Sequence, residues 1–200
     1  MSIAFVFPGQ GSQSVGMQDD LANNNPVVEQ TYAEASEVLG FDLWQLVTSG
    51  DEERLKQTAI TQPALLTAGV AAWRSWLAQD GTKPSYMAGH SLGEYSALVC
   101  AGVIEFADAV MLVRKRGEYM QAAVPAGEGA MSAILNLDPL QVADLCQQAS
   151  AAGVVSVANF NSSVQTVVSG STQAVARLGE LANEAGAKRV VPLLLVFSLF

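Results

Sequence analysis

The 200-residue chain is 50% hydrophobic and 14% charged, enough apolar material to bury the core of one domain, or of one domain carrying a small subdomain, and too much for a disordered polymer. Ten Lys and Arg stand against nineteen Asp and Glu, a net charge of −9, which argues against a general binder of nucleic acid or anionic membrane. Cys100 and Cys146 sit inside apolar helical patterns without metal-ligand spacing; they read as buried free thiols of a reducing compartment, and no metal is expected.

The residues from Met1 to Phe7 lack a basic stretch, and their apolar run is too short for a secretion signal, so a cytoplasmic protein is expected. No segment offers the roughly 20 uninterrupted apolar residues of a membrane span. Ile3 to Phe7 reads as a central parallel strand ended by Pro8-Gly9 and followed by the loop Gly9-Gln10-Gly11-Ser12-Gln13. Helical periodicity runs from about Pro26 to Leu39, with Val27, Val28, Tyr32, Ala35 and Val38 on one face and Gly40 as the stop. A strongly apolar helix is expected over Thr61 to Gln79, and Ser85 to Ala88 reads as a short buried strand. Helices over Leu92 to Ala101 and Phe106 to Ala123 follow, the second carrying Arg114, Lys115 and Arg116. This alternation predicts an α/β layered fold with a parallel sheet.

Beyond Pro125-Ala126-Gly127 the texture changes. Ala130 to Leu137 reads as a strand, Pro139 to Ala151 as a helix, Val154 to Ala158 and Gln165 to Ser169 as strands, Ser171 to Ala185 as a helix and Arg189 to Val196 as a strand. The order β-α-β-β-α-β is the ferredoxin-like split pattern, so a small subdomain is expected from Gly127 onward. Asn159-Phe160-Asn161-Ser162-Ser163 reads as a polar turn between two strands that could also line a cleft.

Between the expected strand at 85–88 and the helix from Leu92 lies Gly89-His90-Ser91-Leu92-Gly93, a G-x-S-x-G nucleophile elbow. Glycines two positions either side of Ser91 remove the Cβ atoms that would collide in so sharp a turn. The serine hydroxyl is thereby raised at a helix N-terminus, where unpaired N–H groups favour developing negative charge. The Leu92 N–H is then a natural oxyanion donor. The elbow alone leaves three readings open: acyl transfer to a thiol, hydrolysis as in an esterase or thioesterase, and a fold whose chemistry is silent and which serves in binding.

Phe7-Pro8-Gly9-Gln10-Gly11-Ser12-Gln13, Thr61-Gln62-Pro63-Ala64, Gly89 to Tyr95, Arg116-Gly117 and Asn159-Phe160-Asn161-Ser162, taken in this order, resemble the malonyl-CoA:acyl carrier protein transacylase family of the bacterial fatty-acid-synthesis type. The resemblance implies an α/β-hydrolase-like large subdomain over residues 1–126 and a ferredoxin-like small subdomain over 127–196, with 197–200 as an atypical end. It implies a ping-pong transfer of malonyl from malonyl-CoA to the phosphopantetheine thiol of acyl carrier protein, with no cofactor and with a malonyl-Ser91 intermediate. Gln10 and Leu92 would supply the oxyanion hole, Arg116 would clamp the free malonyl carboxylate, and Asn159 and Asn161 would face the substrate. Arg114, Lys115, Lys188 and Arg189 are expected as basic groups facing the acidic carrier protein. Family members activate the serine with a histidine beyond the small subdomain, whereas the one histidine here is His90, which is expected to support the elbow from behind the serine rather than to act as base. Leu193 to Phe200 also departs from the family pattern and resembles a frameshifted read-through, which implies an incomplete large subdomain and a chain of weak or no activity.

Overall fold

The computed structural model describes residues 2–123 and 127–193. The expected continuation of the last strand to Val196 and the atypical end at 197–200 lie outside the described residues. The chain forms an α/β fold with both parallel and antiparallel strand pairs, divided into two compact units, residues 1–118 and 119–200.

In the first unit, β1 (Ala4–Phe7) leads through α1 (Asp19–Ala22), α2 (Pro26–Leu39), α3 (Leu43–Ser49), α4 (Glu52–Leu55) and α5 (Thr58–Ala78) to β2 (Tyr86–Gly89), α6 (Leu92–Cys100) and α7 (Phe106–Ala123), whose last turn enters the second unit. The bounds of α2 follow from its sequence: Pro26 sits at its first position, where a missing N–H costs nothing, and Gly40 closes it with φ 75°. Helix α5 starts a turn before the expected Thr61, even though Pro63 lies inside it and removes an intrahelical bond. Burial holds that first turn, since Thr58, Thr61 and Gln62 are all inaccessible to solvent. The core joins Val28, Tyr32 and Ala35 of α2, Leu66 and Val70 of α5, Leu92 of α6 and Val110 and Val113 of α7. Arg74 on α5 braces it, binding Glu34 at 2.7 Å and Thr31 at 3.2 Å while its guanidinium lies 4.9 Å from the Phe106 ring centroid.

β1 and β2 pair in parallel from Ala4↔Tyr86 to Phe7↔Gly89. They are not the buried strands that their composition suggested: Val6 is 77% and Tyr86 72% exposed. A parallel strand is buried on both faces only where other layers cover both, and among the described residues this sheet has two strands. On the covered side Phe5 meets Trp73 and Trp76 edge-on, with centroids 5.5 and 5.6 Å away.

The second unit runs β3 (Gly129–Leu135), α8 (Pro139–Ala149), a short 3₁₀ turn, β4 (Val155–Ser162), β5 (Gln165–Ser171), α9 (Thr172–Glu184) and β6 (Arg189–Leu193). Its sheet has the order β4-β5-β3-β6, and every neighbouring pair is antiparallel. Asp138 and Gln141 close a capping box on α8, with Pro139 at the first position. The apolar faces of α8 and α9 bury Val142, Leu145, Ala174 and Leu178 against Ile134 and Val168. Pro192 lies opposite Ser132 on the edge strand β6, the place in a sheet where a proline does least harm. Residues 159–162, expected in a turn, continue β4 instead, with register shifts between Val157 and Asn159 and between Phe160 and Ser162. β4 is an edge strand, so these bulges let a polar run stay in the ladder with its side chains toward water.

Candidate acyl-transfer site

Ser91 lies between the end of β2 and the start of α6 with φ 53° and ψ −110°, backbone that a non-glycine residue rarely adopts. Its two glycines hold it there. A Cβ on Gly89 would run into the Gly93 carbonyl, and one on Gly93 into the Phe7 carbonyl. The turn closes with the Gly93 N–H on the His90 carbonyl at 3.0 Å and the Glu94 N–H on the Ser91 carbonyl at 3.2 Å. Ser91 occupies the N-cap position, yet its hydroxyl makes no capping bond and is exposed, so Oγ stays available. Leu92 is the first residue of α6, where an N–H has no partner within the helix.

The loop after β1 packs on this elbow. The His90 N–H donates to the Phe7 carbonyl at 3.4 Å, and Gly9 lacks a Cβ where the His90 carbonyl would be 2.8 Å away. The His90 side chain passes the same glycine, its Nδ1 3.6 Å from that Cβ position. Gln10 is tied down at long range, its Nε2 donating to Thr58 Oγ1 at 3.1 Å. Within the loop, the Gly11 N–H donates to Gln13 Oε1 and the Ser12 hydroxyl to the Gly9 carbonyl, both at 2.8 Å. The expected oxyanion donors at Gln10 and Leu92 thus sit on two segments that pack against each other.

Arg116 arrives from α7. Its Nη2 donates to Ser91 Oγ at 3.2 Å, and its guanidinium lies 5.7 Å from the Tyr95 ring centroid. What lets α7 come so close is Gly117: a Cβ there would stand 2.7 Å from both the Thr58 carbonyl oxygen and the Ala59 Cα. The first turn of α5 therefore carries the anchor of the Gln10 loop and seats the helix of Arg116. A groove of about 650 Å³ runs beside β2 and α6, lined by Trp73, Tyr86, Gly89 and Glu94 among others. Neither Ser91 nor Arg116 is among its walls, so chemistry rather than concavity locates the site.

Sequence reasoning missed Thr58, whose link to Gln10 spans 48 residues and leaves no local pattern. The one available hint was Gly117, because a glycine in mid-helix costs about 1 kcal/mol against alanine and usually has a packing reason. Asn159 and Asn161 lie on β4 of the second unit; Asn159 is half-buried and pairs with Val167, while the exposed Asn161 donates from Nδ2 to Gln165 Oε1 at 3.0 Å. Arg114 bonds the Leu39 carbonyl at 2.9 Å and Glu118 at 3.1 Å, which fastens α7 to the end of α2. Lys115, Lys188 and Arg189 are exposed. Cys100 and Cys146 are free, and burial pushes their thiols up to about 12 and about 11. Among the described residues no cluster of His, Cys, Asp or Glu has the make-up of a metal site, and no helix is long and apolar enough to cross a membrane.

A strained serine between strand and helix, with an arginine on its hydroxyl, has the form of a nucleophile elbow. The chain belongs to the acyl transferase domain family, whose model matches residues 4–193. Among curated proteins, the malonyl CoA-acyl carrier protein transacylase of Salmonella typhimurium is 60% identical over 190 residues, 95% of this chain and 62% of that protein. The solved malonyl CoA-acyl carrier protein transacylase of Coxiella burnetii matches with a TM-score of 0.95 and 52% identity, covering 99% of this chain and 63% of that one. A complex of a type II polyketide acyl-carrier protein with its malonyl-transacylase matches with a TM-score of 0.94 and 55% identity, covering 99% of this chain and 64% of that one. The chain thus spans about 62% of the length of the Salmonella protein.

Proposed function

We propose that this chain carries the nucleophile and the carboxylate clamp of a malonyl transferase that moves malonyl from malonyl-CoA to the phosphopantetheine thiol of acyl carrier protein in fatty acid biosynthesis. The observation that carries this reading is the 3.2 Å bond from Arg116 to Ser91 Oγ. It places a fixed positive charge next to the attacking atom, where the free carboxylate of a malonyl group would lie while its thioester carbonyl meets the serine. In the first half-reaction Ser91 Oγ bonds to the thioester carbon, the carbon–sulfur bond breaks, and the serine proton passes through a general base to the departing CoA sulfur. In the second, the carrier sulfur bonds to the malonyl carbonyl carbon, the ester bond to Ser91 Oγ breaks, and the thiol proton returns to that oxygen. The N–H groups of Gln10 and Leu92 stabilise the oxyanion in both halves, and no bound cofactor takes part. Asn159 and Asn161 offer polar groups to the acyl or pantetheine chain, and Arg114, Lys115, Lys188 and Arg189 offer charge to the carrier protein.

Residues 1–126 are read as part of an α/β-hydrolase-like large subdomain and 127–196 as a ferredoxin-like small subdomain of a cytoplasmic protein, and the β4-β5-β3-β6 order supports the ferredoxin-like reading of the second part. His90 supports the Gln10 loop rather than serving as base. The exposure of Ser91 favours one competing outcome, hydrolysis of the acyl-enzyme by water. Incubation with malonyl-CoA and peptide mass spectrometry tests the reading: a malonyl ester should accumulate on Ser91 and vanish in Ser91→Ala. An ester on other residues only, or none after prolonged incubation, would contradict it.

A further inference from the structure

Arg116 has an exposed neighbour in Ser91 and an anchored one in Tyr95. Tyr95 stands in the first turn of α6 and Ser91 is the residue at its N-cap, and the guanidinium from α7 meets both. The hydroxyl of Ser91 takes one N–H at 3.2 Å while the Tyr95 ring lies 5.7 Å from the guanidinium carbon. That ring does not drift, because its apolar side packs on the core of the first unit formed by α2, α5 and α7. Among the described residues Arg116 forms no ion pair with a carboxylate, whereas Arg74, Arg114 and Arg177 each do. A bidentate clamp needs the guanidinium plane held at a fixed tilt, and one hydrogen bond leaves rotation about that bond free. A ring on the other flank removes this freedom.

Resting on the reading of Arg116 as a carboxylate clamp, we propose that Tyr95 is a specificity-determining positioning residue: its ring fixes the guanidinium of Arg116 so that a ligand carboxylate docks beside Ser91. The ring, not its hydroxyl, does this. An exposed cation–π contact corresponds to about a threefold change in affinity. Much of that loss falls on ligands bearing a free carboxylate, and none on groups that bind elsewhere.

Calorimetric titration of the full chain with two unreactive probes, free malonate and free coenzyme A, tests this. Tyr95→Leu should raise the malonate Kd about threefold and leave the coenzyme A Kd unchanged. Tyr95→Phe, which keeps the ring, should restore wild-type malonate binding. An unchanged malonate Kd in Tyr95→Leu, an equal weakening of both probes, or a failure of Tyr95→Phe to restore binding overturns the proposal. Arg116→Gln separates it from the reading beneath it. If malonate binding is indifferent to Arg116→Gln, absent binding included, the clamp itself is wrong; if Arg116→Gln abolishes binding while Tyr95→Leu does not weaken it, only the role of Tyr95 is wrong.

Discussion

The two units of this chain solve the sheet problem differently. The second unit pairs four antiparallel strands and lays the apolar faces of α8 and α9 on them, so that Ile134, Val168 and Leu178 are sealed. The first unit pairs two parallel strands whose outward residues Val6 and Tyr86 remain exposed. Yet it is the first that carries the strained serine, the glycine contacts and the arginine. The candidate site lies not in the better-covered sheet but at the carboxyl ends of two strands, where a loop and a helix N-terminus meet around one backbone distortion.

The largest expected effect falls on that distortion. Gly93→Ala drives a methyl group into the Phe7 carbonyl, between two backbones that cannot yield separately. Urea unfolding should show the first unit destabilised by about 4 kcal/mol, and Ser91 should no longer acylate; a loss under about 1 kcal/mol would mean that the elbow and the Gln10 loop are not packed as described. Leu178→Ala in the second unit should cost about 3 kcal/mol with malonate binding unchanged, and a change in binding would show that the units are not energetically separate.

Smaller effects sharpen the contrast. Burial raises the Cys100 and Cys146 thiols from 9.0 to about 12 and about 11. Their folded values exceed the unfolded one, so the stability they confer is whole below about pH 9 and declines as pH climbs toward 11 and 12. Urea midpoints measured from pH 8 to 10.5 should be level and then fall, with the slope reduced in Cys100→Ala; a midpoint that rises over this range would contradict the sign. The smallest effect belongs to the bare face: Val6→Thr should change stability by no more than about 0.5 kcal/mol, and a loss of about 2 kcal/mol would show that Val6 is covered in solution.

Legibility in the sequence tracked the range of the interactions. Helices α2 and α7 were readable to their ends because periodicity, Pro26 and Gly40 are local signals. The elbow was readable because Gly89 answers a clash with Gly93 four residues on, although Gly93 answers one with Phe7 that no local pattern shows. The burial of β1 and β2 was misread because an apolar strand reports what it can bury, not which layers cover it. Asn159 to Ser162 was misread as a turn because an edge strand with bulges tolerates a polar composition. Thr58 was invisible, since its part depends on a bond to Gln10 across 48 residues.

The central claim, that Ser91 and Arg116 together select an acyl group bearing a free carboxylate, is tested most directly by competition. The chain is incubated with equal concentrations of malonyl-CoA and acetyl-CoA, and the two esters on the Ser91 peptide are counted by mass spectrometry. Malonyl ester should predominate by about tenfold or more, the scale of one charge-assisted pair, and the preference should disappear in Arg116→Gln. Equal amounts of the two esters in the unaltered chain, or a preference that survives Arg116→Gln, would contradict it.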